Sequence, residues 1–449
     1  MYYHLVPLGC QMNQSDAERI RTVLEDMGYR PCEREEDADL LGVVACSVRQ
    51  KSIDKVYSKI HKWNSWKNSR ALITFASGCI LPADREKLLK RFDLLFTINE
   101  LPQVPDMIRQ YGVVTASPSR DMTGDIREGF WKVEPTYTSP IEAYVPIQNG
   151  CDKFCTFCAV PYTRGREVSR PSGEILREIE SLLRKGYRTV TLLGQNVNSY
   201  GLDRRSSEIR FSALLREIGE LTRGEEIWVY FTSPHPRDMG EDVLEAIAEY
   251  PTLAKQIHLP IQSGDDKILI RMNRNYRVSG YRRVVESIRT ILPGATLFTD
   301  IIVGFTGERE EQFLNTAAAM EEFRYNMAYI AQYSPRPGAA SARWADDIPQ
   351  ETKRERLHRL TEILERTGLD YNRALLGREV TVLVDGYDRK GYLSGKTEGR
   401  IPVRIAGAAA PGDDLIGSFV DVRVEEVRPL SIAGRIVAEA FPRLRASSE

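Results

Sequence analysis

Histidine is scarce in this chain, five of 449 residues, too few for a His-rich metal site. Excess charge of either sign is missing too: 62 lysines and arginines meet 63 aspartates and glutamates, for a formal net charge of −1. Bulk charge therefore does not announce a nucleic-acid partner, and any basic footprint has to be local. No run of about 18 apolar residues occurs, which rules out an ordinary transmembrane helix. Met1 to Val6 read at once as a strand, without the charged and apolar regions of a signal peptide, so no leader is expected. No G-x-G occurs, so the dinucleotide fingerprint is absent. Gly391-Tyr392-Leu393-Ser394-Gly395-Lys396-Thr397 imitates a phosphate loop, but it is one residue short between its glycines and lies in a strand-like stretch. No Ser/His/Asp order suggests hydrolysis.

What is present is a globular composition, 42% hydrophobic and 28% charged. At about 150 residues per domain the length allows two to four domains. Three regions are expected, at 1–115, 137–370 and 376–440. The first alternates apolar runs at 3–8, 40–45, 71–76 and 93–98 with helical periods at 15–27 and 47–66, which indicates a parallel sheet. A polar, turn-rich linker is expected at 116–136. The second region carries strand-like runs at 143–148, 189–194, 227–232, 256–261, 295–303 and 327–333, mostly separated by amphipathic helices. Such β/α repeats fit an incomplete TIM-like barrel, with its active site at the carboxyl ends of the strands. A basic helix follows at about 350–375. Its Lys353, Arg354, Arg356, Arg359, Arg366 and Arg373 interleave with glutamates, so it reads as a solvated face. The third region has short strands between Gly, Asp and Pro turns and reads as a small all-β, OB-like barrel.

There are seven cysteines, an odd number in a long chain with no expected leader. Thiolate or metal chemistry in a reducing compartment, the cytoplasm, is expected rather than a disulfide scaffold. Cys151-Asp152-Lys153-Phe154-Cys155-Thr156-Phe157-Cys158 places three of them in one tight loop after a strand. Three thiolates can wrap an iron–sulfur cube and leave one iron with an open position. Zinc is the rival metal, but structural zinc wants four ligands and no fourth Cys or nearby His is at hand. Phe154 and Phe157 flank the thiolates as candidates to dry a cluster, and Gly150 permits a tight turn. Cys10, Cys46 and Cys79 each end an expected strand, and parallel strand ends share one sheet edge. They read as ligands of a second cluster; spacing alone leaves open three buried cysteines acting as small hydrophobes. Cys32, in a charged turn, receives no role.

Polar residues crowd the barrel's strand ends: Gln195, Asn196 and Asn198 after the second strand, Ser233 and His235 after the third, Gln262 and Ser263 after the fourth. Thr306 follows the fifth, and Ser334 and Arg336 the sixth. By position they are ligand contacts or cap and turn residues. His235 and His258 read as structural or contact residues rather than general bases. Arg164, Arg166 and Arg170 follow the cysteine loop and suit phosphate contact and base stacking, with salt bridging to Glu167 and its neighbours as the alternative.

The strings around these residues carry a resemblance that covers nearly the whole chain. They are Gly9-Cys10-Gln11-Met12-Asn13, Cys46-Ser47-Val48-Arg49, and Gly150 through Cys158 running on to Val160-Pro161-Tyr162-Thr163-Arg164-Gly165-Arg166-Glu167. Further along come Leu193-Gly194-Gln195-Asn196-Val197-Asn198-Ser199-Tyr200, His258-Leu259-Pro260-Ile261-Gln262-Ser263-Gly264 and Asp300-Ile301-Ile302-Val303-Gly304-Phe305. In these the chain resembles the radical S-adenosylmethionine (SAM) methylthiotransferase family, most closely its tRNA-modifying branch. Ala45 stands where the family usually has Thr, and Ile80-Leu81-Pro82 where Met or a small residue and Ala-Gln are common. Neither departure removes a ligand.

The resemblance implies an α/β architecture: an N-terminal methylthiotransferase domain, a radical SAM core that is a partial (β/α)6 barrel, and a C-terminal TRAM barrel that binds RNA. It implies two [4Fe-4S] clusters, on Cys10, Cys46 and Cys79 and on Cys151, Cys155 and Cys158, with no catalytic residue beyond them. It implies SAM among the strand-end residues, pointing most to Gln195, Asn196 and Gln262. It also implies an N6-isopentenylated adenosine beside the anticodon, methylthiolated at C2, with one SAM giving a methyl group to sulfur and another the radical that removes the C2 hydrogen. The expected partners are a tRNA anticodon stem-loop, an electron donor and a sulfur source, with no membrane and the chain a monomer. The alternatives are sister chemistry on a ribosomal-protein aspartate or a differently modified adenosine, and a non-catalytic iron–sulfur RNA-binding protein.

Overall fold

Leu40–Cys46 is buried along its whole length, as a parallel strand covered on both faces has to be. Leu40 and Val44 pack with Ile20 and Leu24 of the helix Gln11–Asp26. Leu41, Val43 and Ala45 pack on the other face with Val56, Ile60 and Trp63 of the helix Gln50–Trp66. The computed structural model describes residues 1–46, 50–111, 129–204, 206–406 and 415–439. Ser47-Val48-Arg49 of the string that begins at Cys46, and the expected linker as far as residue 128, lie outside the described residues.

The N-terminal sheet is parallel and runs in the order β2-β1-β3-β4-β5, from β1 (Tyr2–Leu8), β2 (Arg30–Pro31), β3 (Leu40–Cys46), β4 (Ile73–Cys79) and β5 (Leu94–Leu95). The register pairs Leu8 with Ala45, Ala45 with Gly78, and Cys46 with Cys79. It therefore brings three strands to one carboxyl edge. Gly42 is obligatory here, since a Cβ would lie 2.1 Å from the Phe75 ring.

The central strands are β6 (Glu142–Pro146), a short hairpin of β7 (Gln148–Asn149) and β8 (Val168–Ser169), then β9 (Thr189–Leu193), β10 (Trp228–Phe231), β11 (Gln256–His258), β12 (Thr296–Val303) and β13 (Met327–Gln332). Among the described residues, six parallel strands form two three-stranded sheets, β10-β9-β6 and β11-β12-β13. Between the halves runs one isolated parallel bridge, Val229 with Leu253. The partial barrel is thus hydrogen-bonded in two halves, because β11 has only three residues and the chain pairs with β10 only ahead of it.

The helix Gln350–Arg373 closes the barrel beside β13. It corrects the expectation of a wholly solvated basic face. Lys353 and Arg356 are buried. Lys353 donates to Tyr333 O and pairs with Asp346, while Arg356 pairs with Glu308 at 2.8 Å and lies over the Phe313 ring. The ion pairs and rings offset the desolvation of the two cations.

The C-terminal barrel closes in the order β14-β15-β16-β18-β17, from β14 (Glu379–Tyr387), β15 (Leu393–Thr397), β16 (Pro402–Ile405), β17 (Phe419–Arg428) and β18 (Ser431–Glu439). Its β15–β16 turn docks towards the amino ends of the central strands, opposite the cysteine loop. Tyr230 donates to Glu398 O at 3.0 Å and Thr296 to Gly399 O at 2.9 Å. Arg400 donates to Thr191 at 2.8 Å and lies 4.0 Å over the Tyr230 ring.

Candidate active site

The N-terminal cysteines are drawn together by small polar ties between strand ends. Cys10 caps the helix Gln11–Asp26 and its thiol donates to Asn13 Oδ1 at 3.4 Å. Asn13 Nδ2 donates to Ala45 O at 2.9 Å, joining the ends of β1 and β3. The Ser52 hydroxyl makes a second tie, donating to Leu8 O and accepting from Cys46 N. Cys46 and Cys79 are buried, hydrogen-bonded neighbours. That bond, with burial, pushes the Cys79 thiol well above its usual range. Arg164 Nε donates to the Cys79 sulfur at 3.0 Å. The other two guanidinium nitrogens of Arg164 bind Asn149 Oδ1 at 3.1 Å and Asp16 at 2.6 Å. Arg336, after β13, lies close enough to Cys46 for their charges to interact. The triad therefore sits where the N-terminal sheet meets the barrel mouth.

The second triad is shaped by its loop. Gly150 has φ +82, and a Cβ there would lie 2.1 Å from Arg166 O. Cys151 N donates to Gly165 O, Thr156 N to Met272 O and Cys158 N to Cys155 O. Burial pushes the Cys151 thiol up to about 11 and the Cys158 thiol up to about 12. Buried Arg274 donates to the Cys155 sulfur at 3.4 Å. Phe157 packs beside Phe305, Tyr333 and Trp344. Phe154 does not dry the loop as expected. Held at φ +49, it turns outward, 38% exposed, against Arg166 and Tyr162.

Each triad thus offers three sulfurs and one buried guanidinium aimed at a sulfur. Cys46, Cys79, Cys151 and Cys155 are buried, Cys158 half-buried and Cys10 exposed. A guanidinium on one sulfur of each triad suits a group that takes thiolates and carries negative charge. All-sulfur donors favour iron–sulfur over ions that prefer oxygen. Among the described residues no three His, Cys, Asp or Glu side chains close on a point for one metal ion. A cube spreads its ligands over separate irons, and the donor sets fit that group.

The structure separates the strand-end residues into engaged and open ones. Asn198 is used up: it donates to His235 O at 2.9 Å and accepts from His235 N at 2.8 Å. Ser263 is tied to Thr316 and to Asp265 N, and Thr306 donates to Ala345 O. Ser334 follows β13. Gln195 Oε1, Asn196 Oδ1 and Gln148 Oε1 are buried acceptors with no hydrogen-bond partner. Ser233 and Gln262 hold φ of +59 and +67, a strained backbone at two adjacent strand ends. His235 accepts from Arg237 N, and burial with the Arg274 charge holds its imidazole down to about 2. A cavity of about 250 Å³ beside the loop is lined by Asp152, Lys153, Glu167, Ser199, Leu202, Asp203, Arg237 and Asn275. Ser199 donates to Glu167 at 2.6 Å, and burial lifts the Glu167 carboxyl to about 7.

Arg164 and Arg170 do not face solvent, which corrects their assignment as RNA contacts. Both side chains are 5% exposed. Arg170 pairs with Glu174 and Glu178 and lies over Trp131. Arg166 alone of the three is exposed, at 74%, paired with Asp152. Sequence assigns no site role to Gln148 or Arg274, and Glu167, expected only as a salt-bridge partner of the arginines, instead accepts from Ser199. In sequence Gln148 lies two residues ahead of Gly150 and Arg274 stands between two asparagines, the signals from which they can be found.

Three family models match the chain: the Radical SAM superfamily at residues 145–320, Uncharacterized protein family UPF0004 at 2–98 and the TRAM domain at 373–437. A tRNA-2-methylthio-N(6)-dimethylallyladenosine synthase of Geobacter metallireducens is 38% identical over 437 residues, 96% of this chain and 98% of its own. One of Dictyoglomus thermophilum is 36% identical over 446 residues, 97% and 99% of the two chains. Among solved structures, the radical SAM methyltransferase TsrM of Kitasatospora setae, with tryptophan and a SAM analogue, superposes with a TM-score of 0.55. It covers 86% of this chain and 79% of that one at 12% identity, a likeness of fold alone.

Proposed function

The chain belongs to the radical SAM methylthiotransferases, in the family of tRNA-2-methylthio-N(6)-dimethylallyladenosine synthases, and from that premise we propose how its residues divide the work. It is a transferase that methylthiolates tRNA, converting N6-isopentenyladenosine next to the anticodon to its 2-methylthio derivative. Its cofactors are SAM and [4Fe-4S] clusters.

Cys10, Cys46 and Cys79 hold one cluster in this reading, and Cys151, Cys155 and Cys158 the other. The observation that carries it is that both triads lie against one short segment, with Cys158 two residues ahead of the helix Val160–Arg164 and Arg164 touching Cys79. When bound, SAM and the clusters supply the methyl group, the sulfur and the radical that removes the C2 hydrogen. The protein's own task is to bind, orient and keep water out. Gln148, Gln195 and Asn196 offer unpaired acceptors to the SAM amine, and Ser233 and Gln262 border the same mouth. Phe157, Phe305 and Trp344 dry the cysteine loop. No general base is needed for a C2–H bond that has no acidic proton, and neutral His235 is occupied with its own turn.

Among the described residues no helix is long and apolar enough to cross a membrane. The partners are the tRNA anticodon stem-loop, an electron donor and a sulfur source, met by a cytoplasmic monomer. Arg166 and Phe154 form the exposed part of the RNA surface near the loop. The three domains span 1–115, 137–370 and 376–440. The test is anaerobic turnover of the reconstituted chain with SAM, reductant and an isopentenylated anticodon stem-loop. The mass of a methylthio group on the RNA, with 5′-deoxyadenosine, supports the reading; 5′-deoxyadenosine without RNA product contradicts it.

A further inference from the structure

We infer that Arg164 is a positioning residue for the N-terminal cysteine triad: its guanidinium donates to the Cys79 sulfur and holds up the reduction potential of the cluster carried there. This rests on the reading of Cys10, Cys46 and Cys79 as cluster ligands.

An arginine that served only as an ion-pair partner would turn its fork to the carboxylate and bind both oxygens. Arg164 does not. Only Nη2 goes to Asp16, Nη1 goes to Asn149, and Nε is left for sulfur at 3.0 Å. Asp16 belongs to the first helix and Asn149 to the barrel hairpin, so the two domains fix the plane of the guanidinium from both sides. Both members of the Arg164–Asp16 pair are buried, which strengthens any field that the cation exerts on nearby sulfur. A hydrogen bond and positive charge at a ligand sulfur favour the reduced, more negative state of an iron–sulfur centre. The other triad has the same device in Arg274, on Cys155 at 3.4 Å. Two triads with one buried guanidinium each argue for a role beyond packing. Lysine at position 164 would keep the charge but could not serve three fixed acceptors in one plane.

The test uses the full chain with Cys151, Cys155 and Cys158 changed to Ala, so that only the N-terminal site can hold a cluster. Its midpoint potential is read by a redox titration followed by electron paramagnetic resonance. Arg164→Met is expected to shift the potential to more negative values, and Arg164→Lys to shift it less. Arg164→Met with Asp16→Asn removes the orphaned carboxylate; it is expected to recover thermal stability but not the potential. A cluster that titrates at the parent potential in all three variants overturns the inference. Should Arg164→Met not hold iron, Arg164→Lys decides, and an unshifted potential there overturns it equally. A parent that binds no cluster at all instead overturns the ligand reading underneath. In the chain with all cysteines present, the potential of the Cys151–Cys158 centre is expected to stay unmoved by Arg164→Met.

Discussion

Cys46 stands directly across from Cys79, each the last residue of its strand, and their thiols are hydrogen-bonded. Parallel pairing in register makes this unavoidable: once Leu40 pairs with Ile73, every later residue is placed, and both strands stop at the same level. Cys10 reaches that level from β1, two residues past Leu8, which pairs with Ala45. Residues far apart in sequence become one sulfur-lined edge through strand register and length, with the Asn13 and Ser52 ties holding Cys10 and Cys46 at that level.

Burial separates Arg166 from Arg170, and their variants should fail differently. Arg166→Ala is expected to weaken binding of the anticodon stem-loop and to reduce the salt slope of binding by about one, as loss of one phosphate contact does, with the unfolding midpoint unchanged. Arg170→Ala leaves Glu178 with fewer cations in a buried network that also holds Arg19. It is expected to cost about 3 kcal/mol or more of stability. Fluorescence anisotropy over a salt series and denaturant titration check the pair.

Glu167 makes stability depend on pH. Its carboxyl is lifted from 4.5 to about 7, burial being the first cause. A carboxyl raised in the folded state contributes stability that is fully present below pH 4.5 and is lost as pH rises through about 7. Glu167→Gln keeps an acceptor for Ser199 and removes the charge. Subtracting its unfolding free energy from that of the parent should give a difference that changes by about 3 kcal/mol across this window and is flat above pH 8. A flat difference throughout would remove Glu167 as the source.

Gln195 and Asn198 lie three residues apart and should part company on mutation. Asn198→Ala unties the His235 backbone at both ends and is expected to cost about 1–3 kcal/mol of stability. Gln195→Ala removes a carbonyl oxygen that has no protein partner. It is expected to leave the unfolding midpoint within error and to weaken SAM binding, read by equilibrium dialysis.

Much of this layout is legible in the sequence because it follows from local rules. The spacing of Cys151, Cys155 and Cys158 is visible in one short string, and the strand-end positions of Cys10, Cys46 and Cys79 follow from apolar runs that stop at each cysteine. What escapes is the destination of long charged side chains. Arg164 and Arg170 look like surface arginines until Asp16, 148 residues from Arg164, and Glu178 are folded against them. Lys353 and Arg356 escape for the same reason, since Asp346 and Glu308 neutralise them only in three dimensions. Phe154 escapes through its backbone: at φ +49 its ring swings outward, which no hydrophobicity pattern records. Gln148 sits two residues past the end of β6, and only the fold brings its oxygen beside Gly194, just past the end of β9.

Two sulfur triads, each gripping its own cube, are tested most directly by counting. Anaerobically reconstituted wild type should carry about eight iron and about eight sulfide per chain, and Cys46→Ala should fall towards about four of each, from two [4Fe-4S] centres reduced to one. A Cys46→Ala chain that keeps the wild-type count would show that the strand-end edge holds no cluster.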